Sequence, residues 1–361
     1  MERADVLIVG GGPAGSSCAR ALAAAGRDVL VLDRHAFPRE KPCAGWITPE
    51  TVAALELDLE EYAGDHTLQP VSRFRVGRIG GPAVDVDYGA PVSYGIRRCE
   101  LDAVLLRRSG ARTHLREPVS DVRREGREWV VNGRFAAGVL VGAGGHFCPV
   151  ARILNGSPPR EATVVAREIE LLLAGEPLAA CRVEAGRPEL YFCADLRGYG
   201  WCFRKGSHLN VGLGRVGERE LPPRAAAFVE WLVHEGRIAP PPAEGWRGHA
   251  YLVREGRPRR VAGDEILLVG DAAGLAFPAS GEGILPAAVS GRLAAEAILE
   301  EPGGEARERR YRERLDQALG RPGAAPSWRR PLAAALGGVL FGSPAFCRRV
   351  VLDRLFLHRP G

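Results

Sequence analysis

Lysine is nearly absent from this chain. The 49 lysine and arginine residues include only two lysines, Lys41 and Lys205. Where almost every cation is a guanidinium, these two mark places that need a compact ammonium, or they fall where they do by chance. The 8 cysteines (Cys18, Cys43, Cys99, Cys148, Cys181, Cys193, Cys202 and Cys347) contain no C-x-x-C pair. That argues against a zinc site, a thioredoxin-type redox centre and a ligated iron–sulfur cluster, and no metal is expected. No apolar run reaches the roughly 18 residues of a membrane span. Residues 1–25 read as folded structure and not as a secretory leader, so reduced thiols and a cytoplasmic location are expected. No nucleic-acid module accompanies the formal charge of +5, so nucleic acid is not an expected partner. With 361 residues and 46% hydrophobic content, the chain is too long for one small core and suits two domains with an appendage.

Two glycine-rich segments carry the positive signal. Gly10-Gly11-Gly12-Pro13-Ala14-Gly15 follows the apolar strand Val6-Leu7-Ile8-Val9 and leads into an alanine-rich helix over 16–25. In such a unit Gly10 allows the tight turn, Gly12 lets the backbone approach a diphosphate, and Gly15 permits close helix–strand packing. The helix N-terminus, entered through Pro13 and Ala14, offers amides and partial positive charge to the phosphates. Gly26 reads as the helix cap, Val29-Leu30-Val31-Leu32 as the second strand, and Asp33, followed by Arg34, as the acceptor for adenosine ribose hydroxyls. The second segment follows a buried strand at 265–269. It comprises Gly270-Asp271-Ala272-Ala273-Gly274, then Pro278-Ala279-Ser280-Gly281-Glu282-Gly283 and Ile284. Asp271 stands where a carboxylate holds ribityl hydroxyls. A helix starting near Gly281 to Gly283 would aim its positive end at the pyrimidine edge of an isoalloxazine, favouring reduced flavin by ~0.5–2 kcal/mol. Together the segments predict one bound FAD.

The chain resembles the geranylgeranyl-reductase-like branch of the FAD-dependent oxidoreductases that share the aromatic-hydroxylase fold, over roughly residues 3–300. The resemblance rests on the first glycine loop, Lys41-Pro42-Cys43-Ala44-Gly45-Trp46, Arg98-Cys99-Glu100-Leu101-Asp102, Tyr199-Gly200-Trp201-Cys202-Phe203-Arg204-Lys205 and the stretch 270–288. It implies that Cys43 precedes the substrate pocket and that Tyr199, Trp201 and Phe203 line it beside the flavin. Ala44 and Trp46 stand where the family usually has glycine, and Arg204 where it has proline. Lys205 joins the expected catalytic set. Lys41, Pro42, Arg98 and Gly144 join the cofactor set, Gly144 occupying the place of an aspartate that hydroxylases of this fold carry. The implied activity is reduction of carbon–carbon double bonds in a prenyl or other hydrophobic substrate by hydride from flavin N5, with a proton from Cys43, Tyr199 or a water between them. The face of Trp201 would stabilise developing positive charge. A monooxygenase or halogenase, and an electron-transfer flavoprotein serving a quinone, are the alternatives. The electron donor, NAD(P)H or a ferredoxin, leaves no mark in the sequence.

The motif order predicts an α/β flavin domain of Rossmann type (1–75, 97–162, 255–300) interleaved with an antiparallel substrate domain (76–96, 163–254). In the latter, 191–203 and 209–213 read as strands. The aromatics at 199–203 face the flavin or are core. His146 either protonates something near the flavin or is packed, and Cys148 and Arg152 are structural or cofactor-proximal. Residues 301–361, predicted helical, hold 12 Arg against 6 Asp and Glu, and their apolar run 332–341 lies between Arg329-Arg330 and Arg348-Arg349. This segment is an interfacial helix touching an anionic membrane, a lid over a lipidic pocket, or a cap on the flavin domain.

Overall fold

Val6, Leu7 and Ile8 are buried on both faces of a parallel sheet, which is why this stretch is continuously apolar instead of alternating. The computed structural model describes residues 1–157, 163–217, 221–255, 259–322 and 340–359. The spine of the first sheet runs Ala262–Gly263, Ile266–Leu268, Phe135–Gly142, Glu2–Val9, Val29–Asp33 and Arg112–Leu115. Val6 sits between Val139 and Val29 in register.

The helix Pro13–Ala24 packs on the helix Ile284–Glu300, and the contact depends on small residues. A Cβ added to Gly291 would lie 2.2 Å from the Ala14 carbonyl oxygen, and one added to Gly15 would lie 1.9 Å from that of Gly10. Both glycine segments are thereby held at the carboxyl ends of the central strands, where doubly wound folds bind ligands.

A second sheet of seven strands runs Arg247–Leu252, Thr163–Leu172, His208–Val216, Gly198–Lys205, Glu189–Phe192, Arg73–Arg78 and Ala83–Asp87. The helix Leu221–His234 covers one face, with Phe228 against Gly200. The stretch read as one strand over 191–203 is a hairpin, broken at Leu196 (φ 54°) where Arg215 pairs with both Asp195 carboxylate oxygens at 3.0 and 2.8 Å. The sheet takes in Arg73–Arg78, whereas Ser93–Ile96 joins Trp46–Ile47 and Leu68–Val71 in a third, small sheet.

Beyond residue 301, the helix Gly304–Leu319 lies on the flavin-type sheet, where the Tyr311 hydroxyl donates to the Leu268 carbonyl at 2.6 Å. Most of the apolar run 332–341 falls outside the described residues; Leu340 and Phe341 lie inside them. Residues 340–357 return to the second sheet, burying Phe341, Cys347, Val351, Leu352, Phe356 and Leu357 against Phe74, Val76 and Trp201. Among the described residues, no helix is long and apolar enough to cross a membrane.

Candidate active site

A cavity of about 580 Å³ lies between the first and second sheets. One end is the glycine turn. Gly10 has φ +112°, and a Cβ there would strike the Ala143 carbonyl oxygen at 2.4 Å, so only glycine serves. Gly12 differs: an added Cβ would meet nothing nearer than Arg39 Nη2 at 3.4 Å, because this side of the backbone faces the cavity. Asp33 accepts the Gly11 amide at 2.8 Å and the His35 amide at 2.9 Å, which fixes the carboxylate at the cavity edge. Arg34 is exposed beside it.

The middle of the cavity is strongly charged. Lys41 Nζ lies 3.0 Å from His249 Nε2, and Asp271 Oδ2 lies 3.3 Å from the same nitrogen. Burial, reinforced by Arg98, lowers the Lys41 pKa, and burial followed by Lys41 lowers that of His249. Burial acts to raise Asp271, but the His249 hydrogen bond and the charges of His249, Lys41 and Arg98 outweigh it and hold the carboxyl at about 2. Arg98 forms a fork on Asp102 at 2.9 and 3.0 Å, and Arg39 reaches the same carboxylate at 3.2 Å. Arg39, Lys41 and Arg98 against Asp102 and Asp271 leave a cationic surplus when Lys41 is protonated. Gly283, at the N-terminus of the helix Ile284–Glu300, also faces this region, and a Cβ there would sit 3.3 Å from Asp271 Oδ1.

The far end is aromatic. Strand alternation places Tyr199, Trp201, Phe203 and Lys205 on one sheet face, but only the first two reach the cavity. Tyr199 donates its hydroxyl to the Ser280 carbonyl at 2.5 Å, and Trp201 donates Nε1–H to Asn210 Oδ1 at 2.6 Å. The indole lies across Gly212, where a Cβ would be 2.3 Å from Trp201 Cζ2. Trp46 and Phe356 complete this end, their rings stacked at 5.4 Å with an interplanar angle of 15°. Cys43 lies between the charged and aromatic regions, its thiol accepting the Gly45 amide at 3.4 Å.

A family described as FAD binding domain matches residues 3–68. The menaquinone reductase of Mycobacterium tuberculosis is 34% identical over 322 residues, covering 82% of this chain and 77% of that protein. The chloroplastic geranylgeranyl diphosphate reductase of Oryza sativa is 31% identical over 330 residues, covering 82% of this chain and 67% of that protein. The chain belongs to the geranylgeranyl reductase family of FAD-dependent oxidoreductases. A geranylgeranyl bacteriochlorophyll reductase-like protein of Thermoplasma acidophilum has the same fold, with a TM-score of 0.73 at 22% identity over 94% of this chain and 88% of that one.

The residues present fit FAD. The cavity runs unbroken from the open face of Gly12 and Asp33 to Asp271 and Gly283. Pro13, Ala14, Pro42, Gly144, Gly270, Gly281 and Ile284 also border it. Five expected site residues do not. Gly15 and Gly274 act by packing, the latter against Leu252 and Arg259, and Pro278 lies on the exposed side of its loop. Phe203 and Lys205 lie further along their strand, past the cavity and against the small sheet. Phe203 abuts Gly95, while Lys205, 1% exposed, donates to the Ala44 and Ile96 carbonyls at 3.1 Å each and to Glu170 at 2.6 Å. Lys205 is thus a buried tie between two sheets. His146 and Arg152 border the cavity, and Cys148 packs behind Gly144 at 3.2 Å from the position of its absent Cβ.

Sequence reading missed Glu168, His249, Tyr251, Arg39 and Phe356, all of which line the cavity. Glu168 carries a usable signal, being a carboxylate at an inward position of a strand whose neighbouring residues are largely apolar. Phe356 carries none, because its place depends on the return of residues 340–357 across the second sheet.

Proposed function

We propose that this protein reduces carbon–carbon double bonds in an isoprenoid chain. The observation that supports the reading best is the junction of a charged flavin-type cavity with an aromatic chamber walled by Trp46, Tyr199, Trp201 and Phe356. An apolar chain fits that chamber, and the names of the relatives point to substrates that carry one. In this reading the turn 10–14 holds the diphosphate, Asp33 the ribose and Asp271 the ribityl chain. Lys41, Arg98 and the helix end at Gly283 and Ile284 hold the negative charge of the reduced ring.

When bound, reduced FAD supplies the hydride. Cys43 borders the place where substrate and ring meet, and the Tyr199 hydroxyl fixes the Ser280 loop against the substrate sheet. The indole of Trp201, pressed flat over Gly212, offers a π face to the carbon that becomes cationic, worth ~0.5–2 kcal/mol. Trp201→Leu is therefore expected to slow single-turnover reduction by pre-reduced protein roughly 2- to 30-fold with FAD retained. An unchanged rate would remove Trp201 from the mechanism.

NAD(P)H or a ferredoxin is the proposed reductant. Exposed Arg348 and Arg349, beside the exposed Val350, form the proposed peripheral contact with anionic membrane. Vesicle flotation that weakens with salt checks the contact.

A further inference from the structure

Glu168 lies in the middle of the strand Thr163–Leu172, in register with Gly212 and, beyond it, Trp201. It is 5% exposed, lines the cavity, and so presents a carboxyl group in the aromatic chamber. Oε1 accepts the Cys43 amide at 2.6 Å, and the Asn210 side chain also hydrogen-bonds the group. This arrangement aims the carboxyl by two neutral donors and leaves it without a cation of its own. Lys205 is the nearest attractive charge, but its ammonium is bound to Glu170 and two carbonyls. Glu170, two residues along, is a like charge. Arg247, its partner on the neighbouring strand, turns outward to Glu40 at 3.7 Å. His249 is engaged with Lys41 and Asp271, and Cys43 contributes its amide.

The Tyr199 hydroxyl is spent on Ser280, and burial pushes its pKa further up. Burial also raises the Glu168 carboxyl, to about 7, so near neutral pH the acid form is populated and its conjugate base is tolerated.

We propose that Glu168 is the acid that completes alkene reduction, a step that rests on the reductase reading above. Its O–H bond breaks as a C–H bond forms at one alkene carbon, using the electron pair of the π bond. The neighbouring carbon accepts hydride from the reduced flavin, which is thereby oxidised. The carboxylate left behind regains its proton from water reaching the cavity. Cys43 serves as a positioning residue for the acid through its amide.

Two measurements on the FAD-bound protein test this. In pH-difference infrared spectra, the wild type is expected to lose one protonated-carboxyl band with a midpoint near 7, and Glu168→Gln to lack that band. In anaerobic single turnover, Glu168→Gln is expected to be slower by ~100-fold or more, with flavin absorbance and substrate affinity retained. The wild-type rate should fall as pH rises through the infrared midpoint, and Glu168→Asp should recover part of the rate. No titrating band in the wild type, or a Glu168→Gln rate within about threefold of wild type, would overturn the proposal while leaving the reductase reading intact. A wild type that forms no saturated product removes both.

Discussion

Gly12 and Gly10 are neighbours in one turn, yet they are glycines for different reasons. Gly10 is required by the fold, through its positive φ and the Ala143 carbonyl, whereas the space beside Gly12 is empty of protein. Gly12→Val is therefore expected to leave the thermal midpoint of FAD-free protein unchanged and to abolish flavin retention. Absorbance of the purified variant checks this, and a fully yellow protein would argue against the turn as the diphosphate site. Asp271 and His249 give two separate windows of pH dependence. The Asp271 pKa is depressed from 3.8 to about 2, so its stabilising contribution is complete above the ordinary value and is lost as pH falls from near 4 toward 2. That contribution is about 1–2 kcal/mol, allowing for its opening to the cavity. His249 is also depressed and folds neutral, so it opposes folding progressively as pH drops below its ordinary 6.5. Denaturant titrations at a series of pH values should show both descents in FAD-free protein, with Asp271→Asn removing the lower and His249→Gln the upper. At this scale the sequence was legible wherever a residue acts locally, as Gly10, Gly12 and Asp33 do within one strand–turn–helix unit. It misled at Phe203 and Lys205, because alternation tells which face a side chain takes but not where along the strand the cavity ends.

Among the elements, the helix Ile284–Glu300 does the most positioning. It reaches Pro13–Ala24 over Gly291, and its N-terminus faces the charged part of the cavity through Gly283. Gly291→Val would force the helices apart at the Ala14 carbonyl, costing about 1–3 kcal/mol or more. Weaker FAD binding is expected from this substitution although residue 291 borders no part of the cavity, and calorimetric titration of FAD into stripped protein measures it. Unchanged affinity would mean that the helix end contributes little. Both glycine segments, and the strands leading into them, were readable because their hydrophobic runs and turn residues are contiguous. The seven-stranded sheet was less so. The pairing of Glu189–Phe192 with Arg73–Arg78 is parallel and joins strands far apart in sequence, and no local periodicity reports such a partner.

For the molecule as a whole, the decisive feature is that residues 340–357 return to the cavity. Residues 340–357 carry a large apolar share of the cluster around Phe74 and Trp201 and set Phe356 into the cavity, while the His358 imidazole lies 2.9 Å from Glu282 in the second glycine segment. The described part of the basic segment thus packs on both sheets, Gly304–Leu319 on the first and residues 340–357 on the second, and the cavity, the second sheet and residues 340–357 form a single chamber. The claim that this chamber reduces an isoprenoid double bond is tested most directly by anaerobic mixing of photoreduced, FAD-loaded protein with a prenylated naphthoquinone and, separately, a prenyl diphosphate. Flavin absorbance and product mass are followed together. Flavin colour is expected to return as one substrate gains two hydrogens in its prenyl chain. Flavin that stays reduced with both, or a product that forms only when oxygen is admitted and carries an oxygen atom, would contradict it.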